Sequence, residues 1–253
     1  TAVSAYDDFA LAPVVEARYK KLMSNRKNSY TAEEVSCLCI VGEEFRENKH
    51  IGEAKAIFEK LRKANCITPD VLCGSAVTYM DDLNDTADVV KAISFLNQAI
   101  AIDKNCSKAY CRLAEIALLQ DRLEPALAFT NQALKCPVKY PFAYLVKARV
   151  LNMLKRYEQA YQAALDAEKY YGKYVAVYST KAGILEQLGR NSEAADAYRQ
   201  SDQRHPCDWA RHQIVNCLMK AGKPEEALKE TARLMAIVPD DPDVFRLRSS
   251  IYK

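Results

Sequence analysis

Nine cysteines are the residues of this chain best suited to redox or metal chemistry, and they are scattered along its 253 positions. No two have the C-x-x-C spacing, and the three histidines do not pair with them at ligand spacing. We therefore expect free thiols in a reducing compartment, cytoplasmic or nuclear, with no metal and no other cofactor. A disulfide framework is the alternative, although a chain of this length has little need of one. The cysteines are Cys37, Cys39, Cys66, Cys73, Cys106, Cys111, Cys136, Cys207 and Cys217.

Sequence motifs of common enzyme classes do not occur. There is no glycine-rich phosphate loop, no G-x-S-x-G and no H-E-x-x-H. The formal net charge of +3 is too modest to indicate binding to nucleic acid or to a membrane surface. No apolar run approaches the roughly 20 residues that a membrane-spanning helix needs. The sequence thus favours a chain that is not an enzyme, binds no nucleic acid and has no membrane span.

Two charged segments are candidate docking points for partners of opposite charge. The acidic segment lies within Met80–Val89 and lacks the glycine and closing glutamate of an EF-hand loop. The basic segment comprises Arg18–Lys21 with Arg26 and Lys27. The alternative interpretation is that both segments are ordinary solvated surface, which is the usual role of a charge run.

The elements that carry these residues repeat along the chain with a period close to 34 residues. Each repeat has a buried-type alanine, a small residue about twelve positions earlier, and a polar residue or glycine five positions before the alanine. The second repeat has a turn four residues longer than the others. The alanines are Ala54, Ala92, Ala126, Ala160, Ala194 and Ala227; the earlier small residues are Gly42, Ala76, Ala114, Ala148, Ala182 and, in the last repeat, Val215. The turn positions are Lys49, Asp121, Lys155, Gly189 and Gly222.

This pattern predicts two antiparallel helices per repeat. In the third repeat Tyr110, Leu113 and Ala117 share one face of the first helix. Small residues at the facing positions allow the helix axes to approach to roughly 8–10 Å. No stretch of the sequence has the alternation of a β-strand.

The repeat resembles the tetratricopeptide repeat (TPR) family, in which each unit carries large, small and aromatic residues at fixed positions. The fifth unit matches it at Tyr178, Ala182, Leu185, Ala194, Tyr198 and Pro206. The resemblance covers residues 35–241, about six units. Departures occur at Lys147 and Lys181, which replace a leucine, and at Arg211, which replaces a large aromatic residue close to Trp209.

The resemblance implies an all-α, right-handed superhelical solenoid of antiparallel helix pairs. Residues 1–34 are expected to form an N-terminal helix and lead-in, residues 35–241 the repeats, and residues 242–253 a C-terminal capping helix. The sequence TAEE at Thr31–Glu34 predicts a capping box at the start of the first repeat. Stacking of the repeats would build the core, which leaves the surface for function.

The resemblance also implies a protein-interaction scaffold whose first helices line a concave wall for a partner peptide or helix. The expected partner-binding residues are Lys108, Cys111, Arg112, Glu115, Phe142, Leu145, Arg149 and Met153. The competing interpretation is that Phe142, Leu145 and Met153 only pack neighbouring helices together.

Two further functions stay open from the sequence. One is a self-associating subunit, such as a homodimer, of a cell-cycle ubiquitin ligase or of trafficking or secretion machinery. The other is a chaperone-linked adaptor, since Lys108 and Arg112 match one element of the clamp by which TPR co-chaperones hold a terminal carboxylate. Glu43 occupies another clamp position and would repel that carboxylate, so a complete clamp is not expected.

Overall fold

The computed structural model describes residues 13–24, 29–80, 86–237 and 242–252. Within these ranges the chain forms fourteen α-helices and no β-strand, which confirms the all-α class. Arg26 and Lys27 of the basic segment, and Asp81, Asp82 and Asp85 of the acidic one, lie outside the described residues.

The helices fall into two compact units. Unit 1 runs to Arg122 and includes Lys135–Lys139, and unit 2 comprises Leu123–Leu134 and the residues from Tyr140 onward. The helices of unit 1 are α1 (Pro13–Ser24), α2 (Ala32–Glu47), α3 (Ile51–Lys63), α4 (Pro69–Val77), α5 (Thr86–Ile102) and α6 (Ser107–Leu119). Those assigned mainly to unit 2 are α7 (Leu123–Lys135), α8 (Phe142–Met153), α9 (Tyr157–Tyr171), α10 (Val175–Gln187), α11 (Asn191–Arg204), α12 (Asp208–Lys220), α13 (Pro224–Ile237) and α14 (Pro242–Ile251).

The repeated small residues form the contact faces of these helices. Every alanine of the ladder has an exposed fraction of 0%, from Ala54 to Ala227. Their counterparts on the preceding helices, such as Ala148 and Ala182, are equally buried. In unit 1 the ring of Phe58 on α3 fills the space that Gly42 on α2 and Gly74 on α4 leave open. The small side chains of the ladder let neighbouring helices approach closely enough to exclude water from between them.

The turn inside a helix pair has one geometry that recurs along the chain. The turn residue has a left-handed φ, which is 58° at Lys155 and 72° at Gly189. The backbone N–H of Lys155 donates to Asn152 O, and that of Arg156 donates to Leu151 O. These two bonds form a Schellman motif, which ends the first helix and satisfies its last carbonyls. Lys49, Asp121 and Gly222 have the same left-handed φ, so the periodic turn position read from the sequence is this C-cap.

Capping side chains fix the starts of two helices in unit 1, α2 and α4. Thr31 accepts a hydrogen bond from Glu34 N at 3.2 Å, while Thr31 N donates to Glu34 Oε2 at 3.0 Å. The capping box predicted from TAEE is therefore confirmed. Thr68 caps α4 in a similar way through Val71 N, and Pro69 occupies the first turn, where a missing N–H costs little.

Two of the three departures from the family pattern, Lys181 and Arg211, are accommodated by ion pairs in unit 2. Lys181 has a side chain only 12% exposed, and its Nζ lies 2.7 Å from Glu168 Oε2. Arg211 lies 3.1 Å from Asp202 and 3.0 Å from Asp208. Both cations are thus paired, which offsets their desolvation, and the helix pairs persist.

Candidate protein-binding surface

The first helices of successive pairs lie side by side in each unit. In unit 1, α2 contacts α4 and α4 contacts α6; in unit 2, α8 contacts α10, and Glu186 of α10 pairs with Lys220 of α12 at 2.8 Å. Their outward faces form two surfaces, which we call the first-helix surface of unit 1 (α2, α4, α6) and the first-helix surface of unit 2 (α8, α10, α12). The eight predicted binding residues divide equally between the two surfaces.

Lys108 joins the three helices of the unit 1 surface. Its ammonium group donates to Glu43 of α2 and lies 3.8 Å from Asp70 of α4. The Lys108 side chain is only 16% exposed, so its charge is directed into this cluster. Because Glu43 neutralises the lysine that a terminal carboxylate would need, the local charge disfavours the carboxylate clamp.

The remaining predicted residues of unit 1 are also held within the protein. The Arg112 guanidinium lies 2.6 Å from Glu115 Oε2, and these side chains are only 6% and 18% exposed. Cys111 is wholly buried, and burial raises the pKa of its thiol well above the usual value. Because Arg112, Glu115 and Cys111 are largely buried, they lie beneath the first-helix surface of unit 1 and present little area to a partner. The exposed apolar side chains of this surface are instead Ile40 at 65% and Leu119 at 61%.

In unit 2, Phe142 and Leu145 belong to the packing between α8, α9 and α10. Leu145 has an exposed fraction of 0% and clusters with Val177 and Tyr178. The half-buried Phe142 ring meets Tyr171 edge-on, with centroids 5.5 Å apart. These surroundings match the competing interpretation of the sequence, in which Phe142 and Leu145 pack neighbouring helices together.

Arg149 and Met153 lie one turn apart at the exposed end of α8, and Met153 is 47% exposed. The neighbouring face of α10 carries the small side chains of Ser179 and Thr180, which are both half-buried. A Cβ placed on Gly183 would meet no atom within 4 Å. The α10 face therefore has room for chain atoms that approach it, beside two exposed side chains on α8.

Trp209 borders this surface at the start of α12 and is 55% exposed. Its ring meets Tyr198 edge-on at 5.5 Å between centroids. The Tyr198 hydroxyl donates to Glu186 Oε1 at 2.9 Å, and Lys220 Nζ donates to the other oxygen. Burial first, and then Glu186, raises the pKa of Tyr198, so the hydroxyl keeps its proton. A fixed tyrosine thus supports an exposed tryptophan, the side chain most enriched among binding hot spots.

Trp209, Ile40 and Leu119 lie on first helices but are not among the binding residues expected from the sequence. The sequence signal that identifies them is a large apolar side chain at a position on the outward face of a first helix. Their exposure separates them from Leu145 and Cys111, which have the same apolar character but lie in the core.

The described part of the chain holds no group of three or more His, Cys, Asp or Glu side chains placed to hold a metal ion. No helix there is both long and apolar enough to cross a membrane.

Comparison with protein families gives one match. Residues 185–251, which include the end of α10 and all of α11 to α14, match the family model of the tetratricopeptide repeat. A search of curated protein sequences gives no match.

Solved structures share the fold at low sequence identity. A structure of the APC/C hetero-tetramer Cut9–Hcn1 matches 95% of this chain with a TM-score of 0.72 and 14% identity, and the match spans 46% of that chain. PilW, a type IV pilus biogenesis factor, matches 88% of this chain and 100% of its own, with a TM-score of 0.67 and 14% identity. YrrB, described as a TPR protein with an unusual peptide-binding site, matches 76% of this chain and 97% of its own, with a TM-score of 0.57 and 16% identity.

Proposed function

We propose that this tetratricopeptide repeat protein is a non-catalytic interaction scaffold that holds a segment of a partner protein on the first-helix surface of unit 2. The observation that carries the proposal is the composition of that surface. Exposed Met153 on α8 and exposed Trp209 on α12 flank the face of α10, where Gly183 leaves open space.

The chemistry of the surface favours one kind of segment. Met153 and Trp209 offer apolar contact area, so the segment would carry apolar anchors. Arg149 is exposed beside Met153 and would pair with an acidic residue of the segment. An extended strand or an amphipathic helix presents side chains in this way, and the peptide-binding site described for YrrB supports the general mode.

The first-helix surface of unit 1 is a weaker candidate. Lys108, Arg112 and Glu115 are already engaged in ion pairs within the protein, and a partner would have to break these contacts. Cys111 and Leu145 are buried, so they would support the two first-helix surfaces from within and would not contact a partner. We further propose a reducing compartment, cytoplasmic or nuclear, because all nine cysteines are free thiols.

The test is partner capture from a lysate of the source cell by the wild-type chain and by a charge-reversal variant, Arg149→Glu with Met153→Asp. Both positions are exposed on α8, so circular dichroism should report unchanged helix content. We expect the captured partner to be lost, because the variant places two negative charges where an anchor and an acidic residue would bind.

A matched control is available on α9. Leu165→Asp with Lys169→Glu changes an apolar and a basic residue at the same spacing on a second helix, and both positions are exposed. This control should retain the partner. Equal binding by wild type and both variants would exclude the unit 2 surface. Light scattering of the wild type at several concentrations identifies self-association, the outcome in which the captured partner is a second copy.

Two further readouts locate the bound segment once a partner is known. Trp209 is the only tryptophan of the chain, so titration with the purified partner should shift its emission to shorter wavelength as water is excluded. Gly183→Leu adds a side chain to the open face of α10 and should weaken binding at least about tenfold, which corresponds to about 1.4 kcal/mol. A partner that binds Gly183→Leu with wild-type affinity does not lie on α10.

A further inference from the structure

Two cysteines of unit 1 are close in space, although 33 positions separate them in the sequence. Cys73 lies inside α4 and is wholly buried, and Cys106 is the half-buried N-cap residue of α6. Their sulphur atoms are 3.9 Å apart. This distance permits an S–H···S hydrogen bond, and only about 2 Å of movement would bring the sulphurs to the length of a disulfide bond.

The surroundings of the two thiols differ in a way that divides their roles. The hydrogen bond between the two sulphurs and the nearby backbone N–H of Ala109 together lower the pKa of Cys106 to about 7, against the opposing effect of burial. The same hydrogen bond and burial raise the pKa of Cys73. Cys106 is the half-buried thiol of the pair and Cys73 the wholly buried one, so exposure and the lowered pKa together favour Cys106 as the nucleophile.

Other charges near the pair are few and of mixed sign. Asp103 and Asp70 disfavour the Cys106 thiolate, and Lys108 favours a thiolate at Cys73. Cys136, buried in the part of unit 1 that follows α7, lies near enough to interact electrostatically with Cys106. It is the one other thiol of unit 1 that must be tested as a partner.

We propose that Cys106 and Cys73 form a peroxide-reactive thiol pair in which Cys106 is oxidised first and Cys73 resolves the product. The Cys106 thiolate attacks one oxygen of a hydroperoxide, the O–O bond breaks, and Cys106 sulfenic acid forms with release of hydroxide or alkoxide. The Cys73 sulphur then attacks the sulfenic sulphur, the S–O bond breaks, and the thiol proton leaves with the hydroxyl group as water. The two thiols are oxidised by two electrons to one disulfide, and the hydroperoxide is reduced.

The disulfide bond would join α4 directly to the N-cap residue of α6. Both helices contribute to the first-helix surface of unit 1, and Lys108 lies two residues beyond Cys106. Oxidation would therefore act on the segment that places Lys108 against Glu43 and Asp70. This inference does not depend on the proposed function of unit 2.

In the experiment, the reduced chain of residues 1–253 is treated with limiting hydrogen peroxide near pH 7, and its tryptic peptides are analysed by mass spectrometry. We expect two thiols to be lost, with a mass decrease of two hydrogen atoms and one linked peptide pair that a dithiol reductant separates. Trypsin releases Cys106 in the peptide NCSK, apart from Cys111. Cys73 shares its peptide with Cys66, so fragment ions or a Cys66→Ser variant must identify the linked residue.

A matched control is Cys207, which is also half-buried and is the N-cap of α12. In a Cys73→Ser variant that is folded by circular dichroism, the serine hydroxyl can still donate a hydrogen bond to Cys106 but cannot form a disulfide bond. The sulfenic acid should therefore persist at Cys106 and react with dimedone. Labelling at Cys106 should exceed labelling at Cys207 at least about tenfold, because the donor at position 73 favours the Cys106 thiolate. Equal labelling at the two sites, a Cys106–Cys136 link, or disulfides only between chains would overturn the proposal.

Discussion

At the scale of single residues, the clearest packing constraint is the ring of Phe58 between two glycines. A Cβ on Gly74 would lie 2.1 Å from Phe58 Cε1, and one on Gly42 would lie 2.7 Å from Phe58 Cζ. We predict that Gly74→Ala destabilises the protein by about 1–2 kcal/mol, because overpacking of the buried ring outweighs the helix propensity of alanine. The measurement is the free energy of unfolding in urea.

The control for this substitution is Gly183→Ala on α10. An added Cβ there meets no atom within 4 Å, so we expect stabilisation by about 0.5–1 kcal/mol from helix propensity alone. Adding Phe58→Leu to Gly74→Ala should return part of the lost stability, because leucine lacks the ring atoms that clash. If Gly74→Ala and Gly183→Ala change stability equally, the ring does not constrain α4.

The sequence predicts the exposure of single residues at the candidate site less well than it predicts the helices that carry them. Cys111 and Leu145 have the right type and helical register for a binding wall, yet both are fully buried. Adjacent first helices pack side against side, and a shift of one position on a helix moves a side chain from the open face into that contact. The proximity of Cys73 and Cys106 was equally hidden, because it depends on how one helix start meets the middle of another.

At the scale of the element, the turn inside each helix pair can be tested by substitutions to glycine and from glycine, which should change stability in opposite directions. Lys155 is exposed and has a φ of 58°, a conformation that costs a residue with a Cβ about 1–2 kcal/mol. Lys155→Gly should therefore raise the free energy of unfolding by about 0.5–1 kcal/mol after the entropy cost of glycine is included. Urea unfolding of the two proteins measures the change.

The reverse substitution belongs at the next turn of unit 2. Gly189 has a φ of 72° and also lies on the surface. Gly189→Ala should lower stability by about 1 kcal/mol, because alanine must adopt the left-handed conformation there. Opposite signs at equivalent turns are expected only if the Schellman geometry is common to both; a loss of stability in Lys155→Gly would contradict it.

At the scale of the whole molecule, the repeat period was enough to predict the all-α helix pairs, because each small residue of the ladder has a neighbour to contact. Ala160 and Ala194 are fully buried as the pattern required. The division into two compact units was not predictable. The ladder continues through Ala126 with the usual spacing, so the sequence contains no break in composition that would mark a boundary there.

Two units, each with its own buried clusters, predict that unit 2 folds when it is separated from unit 1. A fragment of residues 123–253 contains the cluster of Leu185, Tyr198 and Leu218 and should show a helical circular dichroism spectrum with a cooperative urea transition. Shortening this fragment to residues 123–221 removes Leu234 and Val244, which cover the face of α12 in the same cluster. The shorter fragment should lose at least about 2 kcal/mol of stability, since each repeat is stabilised by its neighbour. An unfolded longer fragment would mean that the clusters of unit 2 are insufficient for folding.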